Sequence, residues 1–320
     1  MLQSVEIPAV TQARASGDYQ QGVSDQWSQL GTTAMFAWAL GVAPTKDNFW
    51  STNNAAGQAA NSHYNRTRSG GEPYSRLQAA VSTLTRGPVA PSDQNGQSDV
   101  PLIMRSCAKD GRLLQLDQPA FALDAQLRQS ALHDGSGPSG HVWAGYSRVA
   151  GRTYGVLFAA RLQTSNGKAY SVGPAELSRG FGAANAWTAP RDASFVAYEA
   201  NATGAPFNFS AAAPITLAPK GTSSADSPAD FSFWNVAPVF PNGWALLGEQ
   251  DKWISVSSDR FTDVTTLPTG LVVKLVGSPG EVVNVAFKAP GSDAPVIVSC
   301  TVGQSSTVKI VSGPKKCAEW

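Results

Sequence analysis

Hydrophobic and polar positions change rhythm about 130 residues into this chain. Before that point, apolar runs of helical and strand character alternate. The run "VEIPAV" (5–10) is short and is followed by polar "TQARASGDY". Residues 27–42, "WSQLGTTAMFAWALGV", are apolar enough to predict a buried helix. A polar loop follows over 51–71. Tyr74, Leu77, Val81 and Leu84 then recur at helical spacing and predict one buried helix face. Glu72 and Pro73 suit its first turn, and Gly87 suits the position just past its end. "PVA" (88–90) reads as a short strand. "SDVPLIMRSCAKDG" reads as another helix, stopped by the Asp110-Gly111 turn.

After the Gly/Ser-rich stretch 133–140, the chain becomes a series of short alternating or β-branched runs divided by turn signals. They include "TYGVLFAARL", "SFVAYEA", "DFSFWNVAPVF", "KWISVS", "GLVVKLVG", "EVVNVAF", "PVIVSCTV" and "STVKIVS". "LVVKLVGSPGEVVNVAF" predicts a hairpin around Ser278-Pro279-Gly280. The pattern is that of an antiparallel sandwich. The expected fold is α/β plus all-β, with residues 1–130 in the first domain and 131–320 in the second.

Composition narrows the partners. With 42% hydrophobic residues, 320 residues can bury a sizeable core. A net charge of +1 argues against nucleic acid or an anionic membrane recruited by bulk charge. No apolar run reaches the ~18 residues of a membrane span. Nor do the residues after Met1 have the basic and apolar regions of a secretory signal. Cys107, Cys300 and Cys317 have no metal-ligand spacing. Cys300 and Cys317 can pair, or all three can be free thiols. Sequons at Asn65, Asn201 and Asn208 tilt localisation toward the secretory route. Neither a metal nor a cofactor is expected.

Three junctions in the first part each carry an Asp where a strand would end: Arg14 and Asp18 in "RASGDY", Asp47 in "PTKDNFW", and Ser92 and Asp93 in "PVAPSDQNG". Turns and helix caps favour such residues for ordinary reasons. In parallel α/β folds, however, the same junctions carry function.

The motifs "ARASGDY", "TTAMFAWALGVAPTKDNFW", "EPYSRLQAAVSTLTRGPVAPSDQNG", "LIMRSCAKDGRLLQLDQPA" and "RTYGVLFAARL" occur in the order of the C-terminal part of raffinose synthases and alkaline α-galactosidases. Residues 8 to about 162 thus resemble the plant branch of glycoside hydrolase family 36. The resemblance implies the last strands of a (β/α)8 barrel followed by an antiparallel β-sandwich. It implies a retaining hydrolase or transglycosidase acting on α-linked, galactoside-type sugars, with two carboxyl groups ~5–5.5 Å apart.

By that resemblance Asp18 is the acid/base, and Arg14 orients it or binds a hydroxyl. Asp47, Asp93 and Ser92 bind substrate, Ser92 alternatively capping the next helix. Trp50 and Trp27 are possible stacking faces, with core packing the first expectation for both. The family's paired Asp-Asp reads Gly17-Asp18 here, and its Lys-x-Asp nucleophile strand has no counterpart before residue 5. The expectation is therefore a C-terminal portion of a longer enzyme, inactive alone. The alternatives are a non-catalytic relative that binds carbohydrate or protein, and a purely structural β protein. His63, His133 and His141 carry no expected role. Trp234, Trp244 and Trp253 are expected to be mainly inward-facing.

Overall fold

The computed structural model describes residues 6–22, 25–52, 72–163, 169–187, 194–200, 204–218 and 231–318. Most of the ordered backbone among them is strand in antiparallel sheets, with few helices. Among the described residues, parallel pairing is confined to the first part. The sequons at Asn65 and Asn201, His63 and most of the 51–71 loop lie outside the described residues.

The first part runs β1 (Gln12–Arg14), α1 (Leu30–Ala39), β2 (Ala43–Thr45), α2 (Ser75–Thr83) and α3 (Val100–Ile103). β1 and β2 are parallel, with Arg14 opposite Thr45. Residues 87–92 run alongside the extension of β2 in the same sense. Gly87 N–H donates to Pro44 O (3.0 Å), Phe49 N–H to Ala90 O (3.2 Å) and Ser92 N–H to Phe49 O (2.8 Å). Gly87 is needed for this approach: a Cβ there would lie 2.1 Å from Thr45 Cγ2. Its role is close contact, not the helix C-terminal position that its spacing predicts. "PVA" is extended beside β2, with one parallel bridge at Phe49–Pro91. The strand of the first junction is polar "QAR", not the apolar run at 5–10.

α1 departs from its expected burial. Leu30, Gly31, Ala34 and Ala37 face inward, whereas Phe36 (58%), Trp38 (37%) and Leu40 (41%) are exposed. Replacing Phe36 by Gln should change unfolding free energy by less than about 0.5 kcal/mol, because little packing is lost at an exposed site. It should also reduce self-association in light scattering, since a large apolar ring leaves the surface. α2 is buried on nearly every side rather than on one face, with Leu77, Val81 and Leu84 in the same core as Trp143, Phe158 and Trp253. The next helical stretch is short: α3 is capped by Asp99, which accepts from Leu102 N–H, and continues as a 3-10 turn over Met104–Ser106.

The middle of the chain forms β3 (Gln118–Ala122), α4 (Asp124–Leu132), β4 (Ser139–Val149), β5 (Arg152–Gln163), β6 (Tyr170–Val172), α5 (Pro174–Arg179), β7 (Phe195–Glu199), β8 (Phe207–Phe209), β9 (Ile215–Leu217) and β10 (Phe231–Pro238). Six strands make one sheet in the order β3-β4-β5-β10-β7-β8. Both faces are covered, which explains the nearly continuous burial of β5 and β10. Trp143, Phe158 and Phe233 point to the core shared with α2, while Val142, Ala144 and Leu157 enter a second core with Leu177 and Phe181. The expected boundary at residue 130 falls inside α4, and Trp27 and Phe49 pack in the same core as the sheet's Trp143.

The last quarter is a sandwich of β11 (Ala245–Gly248), β12 (Phe261–Leu267), β13 (Gly270–Val276), β14 (Val282–Lys288), β15 (Val296–Thr301), β16 (Thr307–Val311) and β17 (Lys316–Ala318). One sheet is β11-β14-β15 and the other β12-β13-β16-β17. The predicted hairpin around Ser278-Pro279-Gly280 is not formed. β13 pairs with β12 and β16, β14 with β11 and β15, so this turn carries the chain from one sheet to the other. "KWISVS" is likewise a bend rather than a strand. A disulfide joins Cys300 on β15 to Cys317 on β17, across the two sheets; Cys107 is free and buried. Trp253 is fully buried, and Trp234 and Trp244 pack against cores at partial exposure. No helix among the described residues is long and apolar enough to cross a membrane.

Candidate functional site

Because β1, the β2 extension and residues 87–92 are parallel, the residues that follow them emerge at one end. Asp18, Asp47 and Asp93 all lie there. In parallel architectures this is the end where ligand-binding side chains gather.

Arg14 ties the first two together. Its Nη2 meets Asp18 Oδ1 at 2.5 Å and its Nη1 meets Asp47 Oδ2 at 3.1 Å. The hydrogen bond from Arg14 to Asp18 and the charge of Asp47 hold the guanidinium in its charged form more firmly than usual. Asp18 is 71% exposed and Asp47 21%. Asp47 is further fixed from below, accepting Tyr19 N–H at 2.7 Å, while its own N–H donates to Ser16 Oγ at 2.8 Å.

Asp93 is tied to Ser51. One oxygen accepts Ser51 N–H (2.7 Å) and the other Ser51 Oγ–H (2.6 Å). It therefore holds the 49–52 turn. Ser92 accepts from Asn48 Nδ2 at 2.5 Å and contacts Phe49 O at 3.3 Å. It does not cap α3; Asp99 does. Trp50 is half-buried at the same rim, and its backbone N–H donates to Tyr19 Oη at 3.2 Å. Trp27 is fully buried against Trp143, Phe158 and His141, so it packs the core and offers no stacking face.

Beneath this rim lies a buried polar floor that the motifs do not announce. Glu72 has no exposure and accepts from Tyr19 Oη–H (2.5 Å), Tyr74 N–H (2.9 Å) and Gly22 N–H (3.3 Å). Burial raises its carboxyl above the usual range, against the pull of those bonds. Burial, with Glu72 beside it, also keeps the Tyr19 phenol protonated. Lys46 is 3% exposed. Its ammonium donates to Asp47 O and Asn48 O, both at 3.1 Å, and lies 5.3 Å and 5.5 Å from the Tyr19 and Phe49 ring centres. Burial lowers its pKa to about 7, although Asp47 and Glu72 act in the opposite direction. A lysine directly after the apolar-leaning run "GVAPT" is the only local signal for this floor.

Position 17, where the expected Asp-Asp pair would have its first member, faces the start of α1. A Cβ there would meet Gln26 O and Gln29 Nε2, each at 3.4 Å, which is ordinary contact. Among the described residues, no group of three or more His, Cys, Asp or Glu is placed to share a metal ion. His133 ends α4 in a left-handed turn, and His141 is wedged among tryptophans, where burial lowers its pKa to about 4.

The rim thus gathers carboxylates, a guanidinium, an amide and a hydroxyl over a buried polar floor. No protein-family model matches the chain, and no curated protein matches it in sequence.

Proposed function

We propose that this rim is a carbohydrate site of glycosidase type, built on the last strands of a (β/α)8-like arrangement and suited to α-linked, galactoside-type sugars. The observation that carries the reading is Arg14 spanning Asp18 and Asp47 at the shared end of two parallel strands. Carboxylates fixed by a guanidinium accept paired hydroxyl hydrogens in a defined plane, and charge-assisted bonds of this kind are the strong ones.

Asp18 is the acid/base of the hydrolytic version of this proposal. One observation favours the second version, recognition without catalysis. An acid catalyst works from a partly desolvated site, whereas Asp18 is largely exposed and ion-paired.

The test is a titration with methyl α-D-galactoside followed by backbone amide NMR, together with hydrolysis of 4-nitrophenyl α-D-galactoside. Shifts should be confined to residues 14–19, 46–51 and 92–93. Asp47→Ala should weaken binding about tenfold or more, the cost of one hydrogen bond to a charged group. Turnover that disappears in Asp18→Asn assigns the acid/base role; binding without turnover selects recognition. If neither this glycoside nor its β-anomer perturbs the rim, the carbohydrate proposal falls.

A further inference from the structure

Away from the rim, a small cavity lies between the six-stranded sheet and the bend at residues 254–256. Three of its polar lining side chains stand together by strand register. Ser147 on β4 is opposite Tyr154 on β5, and Asn235 on β10 is opposite Val156, two residues along from Tyr154 and so on the same face. All three are more than nine-tenths buried, at 1%, 4% and 5% exposure. Ser147 Oγ, Tyr154 Oη and Asn235 Nδ2 each find no hydrogen-bond partner among the described residues. Their neighbour Tyr198, opposite Asn235, is satisfied by donating to Leu247 O at 2.6 Å.

Three unpaired polar groups on residues lining one cavity are unfavourable, because each has lost its hydration. An apolar sheet-to-sheet contact would use Val, Ala or Leu here. We propose that this cavity is a binding site for one buried water molecule, which links β4, β5 and β10.

The size and the chemistry both select water. The space open to a water centre is about 10 Å³, the lower limit for one molecule. Asn235 Nδ2 can only donate, Tyr154 can donate or accept, and Ser147 can do either. Water complements this set, accepting from the amide and donating to a hydroxyl. The lining contains no charged side chain, so it offers no counter-charge to a metal cation or to chloride. Burial also holds the Tyr154 phenol in its neutral form. The bound water would satisfy these atoms where the sheet meets Ile254–Val256 and β11, fixing the sheet's placement on the sandwich.

A crystal structure of the wild-type chain at about 2 Å or better, with water ¹⁷O magnetic relaxation dispersion in solution, tests this. The map should show one peak within hydrogen-bonding distance of Ser147 Oγ, Tyr154 Oη and Asn235 Nδ2. Relaxation should lose the amplitude of one long-lived water in Ser147→Val, which fills the cavity. Tyr154→Phe removes a single partner and keeps the ring, and should shorten the residence time of that water. The proposal is overturned by a dry cavity in the wild-type map, or by these side chains rotated to pair with each other. Equal dispersion amplitudes in wild type and Ser147→Val would overturn it too. Should Ser147→Val fail to fold, the wild-type map decides alone.

Discussion

Arg260→Met should destabilise the protein by about 3–5 kcal/mol, the range for removing one partner of a buried ion pair. Arg260 is 1% exposed and lies just before β12. Its guanidinium donates to Glu249 Oε2 (2.7 Å) and Oε1 (2.9 Å), to Glu281 Oε2 (3.0 Å) and Oε1 (2.8 Å), and to Val276 O (3.0 Å). These five bonds use all five of its N–H groups. Glu281 also accepts Lys109 N–H at 3.1 Å, so the cluster attaches the first part of the chain to the sandwich. Removing Arg260 strands two carboxylates at 3% and 7% exposure. Arg260→Lys should be almost as harmful, because a single ammonium cannot reproduce the fork.

The pH dependence separates this cause from simple loss of packing. Burial pushes the Glu281 carboxyl up, but the hydrogen bond and charge of Arg260, with the Ser278 and Lys109 amides, outweigh it and hold it below its usual value of 4.5. A lowered acid contributes stability that is present above its unfolded pKa and is lost as pH falls through the folded value. Without Arg260 the burial dominates and the sign reverses: the carboxyl is raised, and its stability is lost as pH rises. The gap between wild type and Arg260→Met should therefore be widest near neutrality and narrow toward pH 4. Urea denaturation at several pH values reads it. A constant gap would mean that packing, not stranded charge, is what the substitution removes.

The same cluster shows where local pattern stops determining structure. Ser278-Pro279-Gly280 between two alternating runs is a strong hairpin signal, and the runs themselves are strands. Yet the turn is a corner between sheets, because Gly277 and Glu281 close around a guanidinium contributed from residue 260. A Cβ at Gly277 would lie 2.6 Å from Glu281 Oε2 and 2.8 Å from Arg260 Nη1. Local spacing reports the bend; only tertiary pairing decides which sheet the next strand joins. Likewise α1 is legible as a helix from its apolar run, but not which side is covered. β1 is a polar tripeptide whose extended form comes from pairing with β2. The acids at 18, 47 and 93 were legible because turn positions after strands share one end of a parallel array. Lys46 and Glu72 were not, since the burial of a charge depends on elements far apart in the chain.

Lys46→Met should invert the usual reasoning about lost hydrogen bonds. In the wild type, burial holds the Lys46 pKa at about 7 against an unfolded value of 10.5. A lowered base binds its proton in the unfolded chain before it does so in the folded one. Between these two values the unfolded state carries the extra proton, so stability rises with pH. The limiting slope is about 1.4 kcal/mol per pH unit, or about 3 kcal/mol from pH 7 to 9.5. Above pH 10 the raised Tyr19 phenol reverses the trend, since the unfolded chain then ionises its tyrosine first. The raised Glu72 carboxyl acts at the acid end: its contribution is present below 4.5 and is lost as pH rises. Lys46→Met deletes the slope between 7 and 9.5 and leaves Asp47 O and Asn48 O without this donor. The variant should be less stable than wild type at pH 9.5 and more stable at pH 6, with the two curves crossing between. Urea midpoints for both proteins at pH 6, 7.5 and 9.5 test the crossing. Parallel curves would mean that the amine keeps its proton throughout. The rim would then rest on a buried cation held by two backbone carbonyls and two aromatic faces, with Asp47 and Glu72 outweighing its desolvation.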